Sequence, residues 1–376
     1  MNPAAWLWRT ARLTPDAPAL VHHTDVVADY AEFQHRAAAI GAGLNARHGI
    51  KPGSRVAVFM TNRCEYLEAL YAIWAIGAVA VPINAKLHLN EAAFIIKDAG
   101  ADLAFVSDDV GAGLRGLLPG ASKTVVTVGD QNWQDLCHAD PLMDPAVMET
   151  DDLLWLFYTS GTTGKPKGVM VTAGNITAMT LAYFADVDQV SQADAILYAA
   201  PMSHGAGIYN FMHVIKGARH VVPASGGFDA AEILELAPKI GPVSMFAAPT
   251  MVKRLVDHAR AAGLNGAGIK TVVYAGGPMY LADIQDAVAV LGDRFVQIYG
   301  QGECPMGITA LGRHLVSDRT HPNWKARLAS VGVAQSPGLV RIAAPDGGFL
   351  PVGETGEIVV KSPVVMKGYW HNDAAT

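Results

Sequence analysis

A chain of 376 residues, 51% of them hydrophobic, can bury a sizeable core, and its length allows two or three domains or one large α/β unit. Its 28 basic and 34 acidic residues leave a net charge of −6 with no long basic run, which argues against a nucleic-acid partner. Cys64, Cys137 and Cys304 are widely spaced and form no CxxC pair, so neither a disulfide framework nor a zinc ribbon is indicated, and a reducing cytoplasm fits.

The amino terminus soon meets Arg9, Arg12 and Asp16, unlike a secretion leader with its uncharged apolar run. Residues 55–60 alternate as a strand does. Asn62, with Glu65 three residues on, is placed to cap a helix whose apolar face carries Leu67, Leu70, Tyr71 and Trp74. Residues 69–85 are the most membrane-like, but Pro82 interrupts them and Glu68 borders them. A helix ended by Gly77 and a buried strand over 79–83 explain this stretch better than a membrane span. An amphipathic helix over 90–99, closed by Gly100, and a strand over 103–106 continue a βαβ rhythm.

After a Pro- and Asp-containing stretch near 140–151, strands are predicted at 195–200, 219–222, 243–247, 271–275 and 295–299. Helices at 207–216, 230–239, 251–262 and 281–291 fit between them by their three- and four-residue apolar spacing. From about Ala329 the pattern turns to short β segments. The expected fold is therefore α/β, with two mostly parallel, helix-covered sheets and a small β-rich subdomain. Its expected divisions are 1–150, 151–328 and 329–376.

Residues 156–169 are the most informative stretch. An apolar strand runs into Thr159, Ser160, Gly161, Thr162, Thr163, Gly164, Lys165, Pro166, Lys167 and Gly168. Glycines admit a polyphosphate to the backbone, hydroxyls and N–H groups donate to its oxygens, and lysine supplies countercharge. A Walker A loop is the obvious competitor. It needs four residues between its glycines and a hydroxyl after its lysine, whereas here Pro166 follows Lys165 and a strand over 169–171 follows the loop.

The segment from Tyr158 to Val169 closely resembles the signature of the adenylate-forming superfamily of acyl-CoA synthetases, luciferases and peptide-synthetase adenylation domains. The resemblance continues in order through Pro201-Met202-Ser203-His204, Ala275-Gly276-Gly277-Pro278, Tyr299-Gly300-Gln301-Gly302-Glu303, Ser330-Val331-Gly332 and Gly368-Tyr369-Trp370, covering essentially the whole chain. It implies ATP contacts from Thr159, Ser160, Gly161, Thr162, Thr163, Gly164 and Lys167. It implies adenine contacts from Ala275, Gly276, Gly277, Pro278, Tyr299, Gly300, Gln301 and Gly302. His204 would lie near the acyl carboxylate, and Glu303 would help to hold Mg²⁺. Lys167, His204 and Glu303 are thus the expected catalytic groups, with CoA as co-substrate. Two departures stand out: Gly302 replaces a usual threonine, and Thr172-Ala173-Gly174-Asn175 lacks a histidine that the family often carries.

The family normally continues past Trp370 with a ribose-binding aspartate, a hinge and a lid domain that carries the adenylation lysine. This chain ends at Thr376, so it is expected to be a truncated form of reduced activity. The resemblance also implies that a member activating an amino acid would carry an aspartate in 200–207 to pair with the amine; none occurs there, which disfavours a free amino acid. Ile208, Tyr209, Ala275, Gly276, Cys304, Pro305 and Met306, beside His204, are the expected walls of a pocket for a fatty or aromatic acid. Cys304 is expected to pack rather than react. A non-catalytic nucleotide- or acyl-binding module and a luciferase-type oxidoreductase would share these motifs. A Ser203-His204 hydrolase is set aside because neighbouring side chains on an extended segment point apart and no GxSxG elbow occurs. No residue fixes the oligomeric state, and a homo-oligomer stays open.

Overall fold

Strands such as Val79–Ile83 and Leu103–Val106 are apolar along their whole length and buried at every position, as befits a sheet covered on both faces. The computed structural model describes residues 1–118, 124–159 and 166–376. Within them lie a seven-stranded sheet, a nine-stranded sheet and a separate two-stranded sheet.

In the seven-stranded sheet, Val79–Ile83, Arg55–Phe59, Leu103–Val106 and Thr124–Thr127 run parallel, and Leu153–Thr159 joins Val79–Ile83 in parallel. Leu153–Thr159 then pairs antiparallel with Lys167–Thr172, which in turn takes the short strand Gly368–Tyr369 on its outer edge. In the nine-stranded sheet the six strands from Phe295–Gln301 to Pro18–His22 are parallel neighbours. Antiparallel pairs finish its edges: Asp25–Asp29 on one side, Cys304–Leu311 and Val333–Ala334 on the other. Leu339–Ala343 and Glu357–Lys361 form the small antiparallel sheet.

Sheet membership runs across the 150–151 division expected from sequence. Leu153–Thr159 lies in the sheet of the amino-terminal strands, while Pro18–His22 pairs with Arg219–Val222 in the other. A βαβ rhythm specifies local order; it does not say which sheet each strand will join.

The helix Cys64–Ala75 packs among both sheets and is buried everywhere except at Glu65. That burial accounts for its membrane-like composition, and Gly77 ends it at a φ of 71°. Among the described residues, no helix is long and apolar enough to cross a membrane. Trp74 on this helix stacks 4.9 Å from Phe211 and 5.8 Å from Trp155, binding the two sheets into one core. Each such side chain contributes about 2 kcal/mol by leaving water. Burial has a cost at Glu68, which is 3% exposed. Arg36 lies 3.2 Å away, yet desolvation outweighs it and pushes the carboxyl up to about 7.

A buried polar cluster lies nearby. Tyr30 donates to the Ala218 carbonyl at 2.6 Å, and the Tyr198 hydroxyl meets His220 Nδ1 at 2.8 Å. His213 uses Nδ1 on the Tyr209 carbonyl at 2.8 Å, while its buried Nε2 has no partner among the described residues. Desolvation pushes His213 down to about 4, so it is neutral at ordinary pH.

Candidate active site

Strand ends from both sheets meet around one cavity of about 250 Å³. Trp155, Phe157 and Val171 come from the antiparallel hairpin of the seven-stranded sheet. Phe246, Ala275 and Ile298 come from three parallel strand ends of the nine-stranded sheet. The remaining wall is His204, Gly205 and Ile208 on one side and Gly276, Gly300, Gln301, Gly302, Pro305 and Met306 on the other. The site expected from sequence is thus largely brought together, with Trp155, Phe157 and Phe246 added. Those aromatics carried no signal of their own, since an apolar strand residue reads as core until its sheet position is known.

Two expected wall residues sit behind the cavity. Tyr209 is buried, its ring 5.1 Å from Tyr183, and its hydroxyl has no partner among the described residues. Cys304 is also buried, and desolvation pushes its thiol up to about 12, leaving it unreactive. Strict strand alternation would have put Cys304 and Met306 on one face. The register instead shifts between Tyr299 and Gln301, and Met306 takes a φ of 58°, so that Pro305 and Met306 both face the cavity.

His204 belongs to two cavities. The second, of about 240 Å³, is lined by Asn84, Tyr158, Thr159 and Pro166. It thus opens on both flanks of the glycine-rich loop. Ser160, Gly161, Thr162, Thr163 and Gly164 themselves lie outside the described residues. The His204 ring stands edge-on to Phe157 at 5.3 Å, and burial lowers its pKa, favouring the neutral imidazole.

The Ser203 hydroxyl lies 2.9 Å from His204 Nδ1, which corrects the expectation that these neighbours point apart. The segment is a turn rather than a strand, closed by a hydrogen bond from His204 N–H to the Pro201 carbonyl. Among the described residues His204 has no carboxylate partner, so a hydrolase triad is not completed.

Asn62 holds this turn in place. It does not cap the following helix, whose cap position is Arg63 and makes no side-chain capping bond. Its amide donates to the carbonyls of Tyr198 and Ala200, both at 2.9 Å, and its oxygen accepts from Met202 N–H at 2.8 Å. A side chain from the seven-stranded sheet's side therefore fixes the loop leaving the Ala195–Leu197 strand. The sequence offered Asn62 a local role, and a partner 136 residues away won.

The polar edge of the site is built around Glu303. It lies in the tight hairpin between Phe295–Gln301 and Cys304–Leu311, where its carboxylate accepts from the Tyr369 hydroxyl at 2.6 Å. That hydrogen bond, then burial, pushes the Tyr369 phenol up to about 12. The Lys167 ammonium stands 5.1 Å over the Tyr369 ring. Gly302 abuts the loop: a Cβ there would lie 2.6 Å from Thr159 Cγ2 and 3.2 Å from Phe157 Cδ1. The missing family threonine thus has a local steric counterpart. Tyr299 and Gln301 share a 2.9 Å hydrogen bond beside the exposed Gly276-Gly277-Pro278 turn.

Among the described residues no three His, Cys, Asp or Glu side chains gather as a metal site. The donor set suits a hard cation that draws most of its ligands from phosphate and water, with one carboxylate such as Glu303 from the protein.

Known proteins share this fold. Residues 7–370 match the AMP-binding enzyme family. A feruloyl-CoA synthase from an Amycolatopsis species is 34% identical over 99% of this chain and 72% of its own length. A 2-succinylbenzoate-CoA ligase from Geobacillus kaustophilus is 32% identical over 99% of this chain and 71% of its own. The inhibitor-bound N-terminal domain of FACL13 from Mycobacterium tuberculosis superposes with a TM-score of 0.86 at 28% identity, covering 100% of this chain and 92% of that one. O-succinylbenzoate coenzyme A synthetase from Bacillus subtilis in complex with AMP gives 0.82 at 27% identity, covering 98% and 72%. The chain therefore belongs to the AMP-binding enzyme family, among the adenylate-forming acid–CoA ligases.

Proposed function

We propose that this protein uses ATP to activate an aromatic carboxylic acid as its acyl-adenylate and then passes the acyl group to the thiol of CoA. A carboxylate oxygen attacks the α-phosphorus, and the bond to pyrophosphate breaks. The thiolate sulfur then attacks the activated carbonyl carbon, and AMP leaves. A carboxylate alone is a poor electrophile, so the work of the site is to position the reactants and offset developing charge.

The roles proposed for the residues are those that the motif resemblance implies. Thr159 and Lys167, with the intervening Ser160, Gly161, Thr162, Thr163 and Gly164, take the polyphosphate. Tyr299 and the turn from Ala275 to Pro278 receive adenine, alongside Gly300, Gln301 and Gly302. Glu303 contributes the carboxylate for Mg²⁺, which when bound supplies positive charge to the phosphate oxygens. His204, whose pKa burial lowers, can donate a hydrogen bond to the acid's carboxylate from its neutral form.

One observation carries this reading: His204 lines both the apolar cavity and the neighbouring cavity that reaches Thr159 and Pro166 beside the glycine-rich loop. An acid seated in the first would present its carboxylate toward a nucleotide in the second. Trp155, Phe157 and Phe246 in the apolar wall favour a flat aromatic acid over a long alkyl chain. The names of the feruloyl- and succinylbenzoate-directed relatives support the same choice.

The test is acid-dependent exchange of labelled pyrophosphate into ATP, run with hydroxycinnamic, benzoic and C8–C16 fatty acids, beside calorimetric binding of non-hydrolysable aryl-adenylates. Aromatic acids should support exchange and their adenylate analogues should bind most tightly. Preference for fatty acids in both assays overturns the substrate class, and absence of nucleotide binding overturns the activity.

A further inference from the structure

The sequence motifs leave Tyr369 without a task, yet it touches both charged side chains at the polar edge of the site. Its hydroxyl donates to Glu303 Oε1 at 2.6 Å, and its ring lies 5.1 Å beneath the Lys167 ammonium. The backbone around it is tied to the same two places. Gly368–Tyr369 pairs with the Lys167–Thr172 strand, with Tyr369 opposite Val169, and Trp370 N–H donates to the Gly168 carbonyl at 2.7 Å. Met366 N–H donates to the Glu303 carbonyl at 2.8 Å. One short segment therefore clamps the hairpin of the nine-stranded sheet to the loop-bearing edge of the seven-stranded sheet.

We propose that Tyr369 is a positioning residue that sets Glu303 and Lys167 in one fixed arrangement to receive a metal-complexed polyphosphate. This rests on the proposed function, in which Glu303 serves the metal and Lys167 the phosphates. The hydroxyl takes one carboxylate oxygen and leaves Oε2 to ligate, which makes Glu303 a one-oxygen ligand of defined direction. Charge-assisted hydrogen bonds to a carboxylate are short and strong enough to hold such a direction. The ring attracts the ammonium electrostatically and keeps it from folding back onto the carboxylate, where the two charges would cancel rather than face the nucleotide. A purely structural tyrosine at this edge would need neither its hydroxyl on Glu303 nor its face under Lys167.

The two contacts can be separated. Tyr369→Phe keeps the ring and removes the hydroxyl; Tyr369→Leu removes both. Binding of a non-hydrolysable ATP analogue to the full chain is measured by calorimetry, once with saturating Mg²⁺ and once in chelator. Tyr369→Phe should weaken binding about fivefold with Mg²⁺ and leave the chelator value unchanged, as expected for loss of a bond to a charged group at a half-exposed site. Tyr369→Leu should also weaken binding about twofold in chelator, through the lost cation–π contact. In a Glu303→Gln background, Tyr369→Phe should add nothing. Because Phe conserves the ring's packing, and Leu gives a second variant, a general loss of folding would appear as an equal loss in both conditions, which contradicts the proposal. A normal Mg²⁺ dependence in Tyr369→Phe, with Glu303→Gln defective, overturns the role of Tyr369 alone. A normal Mg²⁺ dependence in Glu303→Gln overturns the assignment of Glu303 on which it rests.

Discussion

Gly302 stands in a tight place, and the geometry says what a side chain there would do. In Gly302→Ala the new Cβ would fall 2.6 Å from Thr159 Cγ2, with Phe157 Cδ1 and Cε1 at 3.2 and 3.3 Å. Real methyl groups do not approach so closely, so Thr159 must rotate or its strand end must move. Thr159 is β-branched and cannot swing away freely. Overpacking of this kind costs about 1–3 kcal/mol. Restricting the unfolded chain at a glycine returns about 0.4–1 kcal/mol, leaving a net loss of about 1–2 kcal/mol. Thr159→Ser deletes the opposing Cγ2 and keeps the hydroxyl, so the double variant should recover most of that loss. Urea denaturation followed by fluorescence of the seven tryptophans gives the four corners of the cycle. A coupling of about 1 kcal/mol or more is expected, against the ~0.3–0.5 kcal/mol within which independent sites add. Additive losses, or a Gly302→Ala chain as stable as the parent, refute the claim that Thr159 fills the space left by the glycine.

The buried His213 should weaken the fold in acid. Its pKa falls from 6.5 to about 4 on folding, so the unfolded chain binds the proton first and stability declines as pH drops below 6.5. The decline should reach about 2 kcal/mol by pH 5, and His213→Gln should remove that part of the difference between urea midpoints at pH 7 and pH 5. Glu68 acts in the opposite sense: its carboxyl is raised to about 7, so its contribution is complete below pH 4.5 and fades as pH rises through 7. Glu68→Gln should flatten the alkaline side of the stability profile. Met306→Gly should relieve a left-handed backbone worth about 1–2 kcal/mol and open the cavity end. Exchange assays should then show bulkier aromatic acids gaining on small ones, and an unaltered ranking contradicts Met306 as the limit. Asn62→Ala strips three hydrogen bonds from the His204 turn at a cost of about 2–3 kcal/mol. It should lower kcat/KM for acid while leaving ATP binding near normal by calorimetry.

Local patterns in the sequence were informative where structure is local. Leu281–Leu291, Arg219–Val222 and Val243–Ala247 lie where spacing and turn residues put them, because one periodicity and one pair of breakers fix each. Motif order likewise led to His204, the Gly276 turn and Glu303 at neighbouring strand ends. Pairing over long distances left no such trace. Asn62 carried the pattern of a helix cap and serves the other sheet; Phe246 read as plain core and lines the cavity; Tyr209 and Cys304 read as lining and are core. Tyr369 was visible only as part of a motif, because its two partners lie 66 and 202 positions earlier in the chain.

The order of pairing explains why the site depends on so many distant segments. Strands near the amino terminus belong to the nine-stranded sheet, the chain then builds most of the seven-stranded sheet, and it returns to complete the first. At Gly368–Tyr369 it comes back to the loop-bearing edge. Every wall of the site is thus shared between segments that are far apart in sequence, and neither sheet alone contains it. A disturbance at the Asn62 contacts or at Tyr369 changes how one sheet's loops face the other while leaving each sheet's ladder intact. Loss of function without loss of secondary structure is therefore the expected signature of such variants, and the separation of acid effects at Asn62 from Mg²⁺ effects at Tyr369 follows from their different partners, the His204 turn for one and Glu303 with Lys167 for the other.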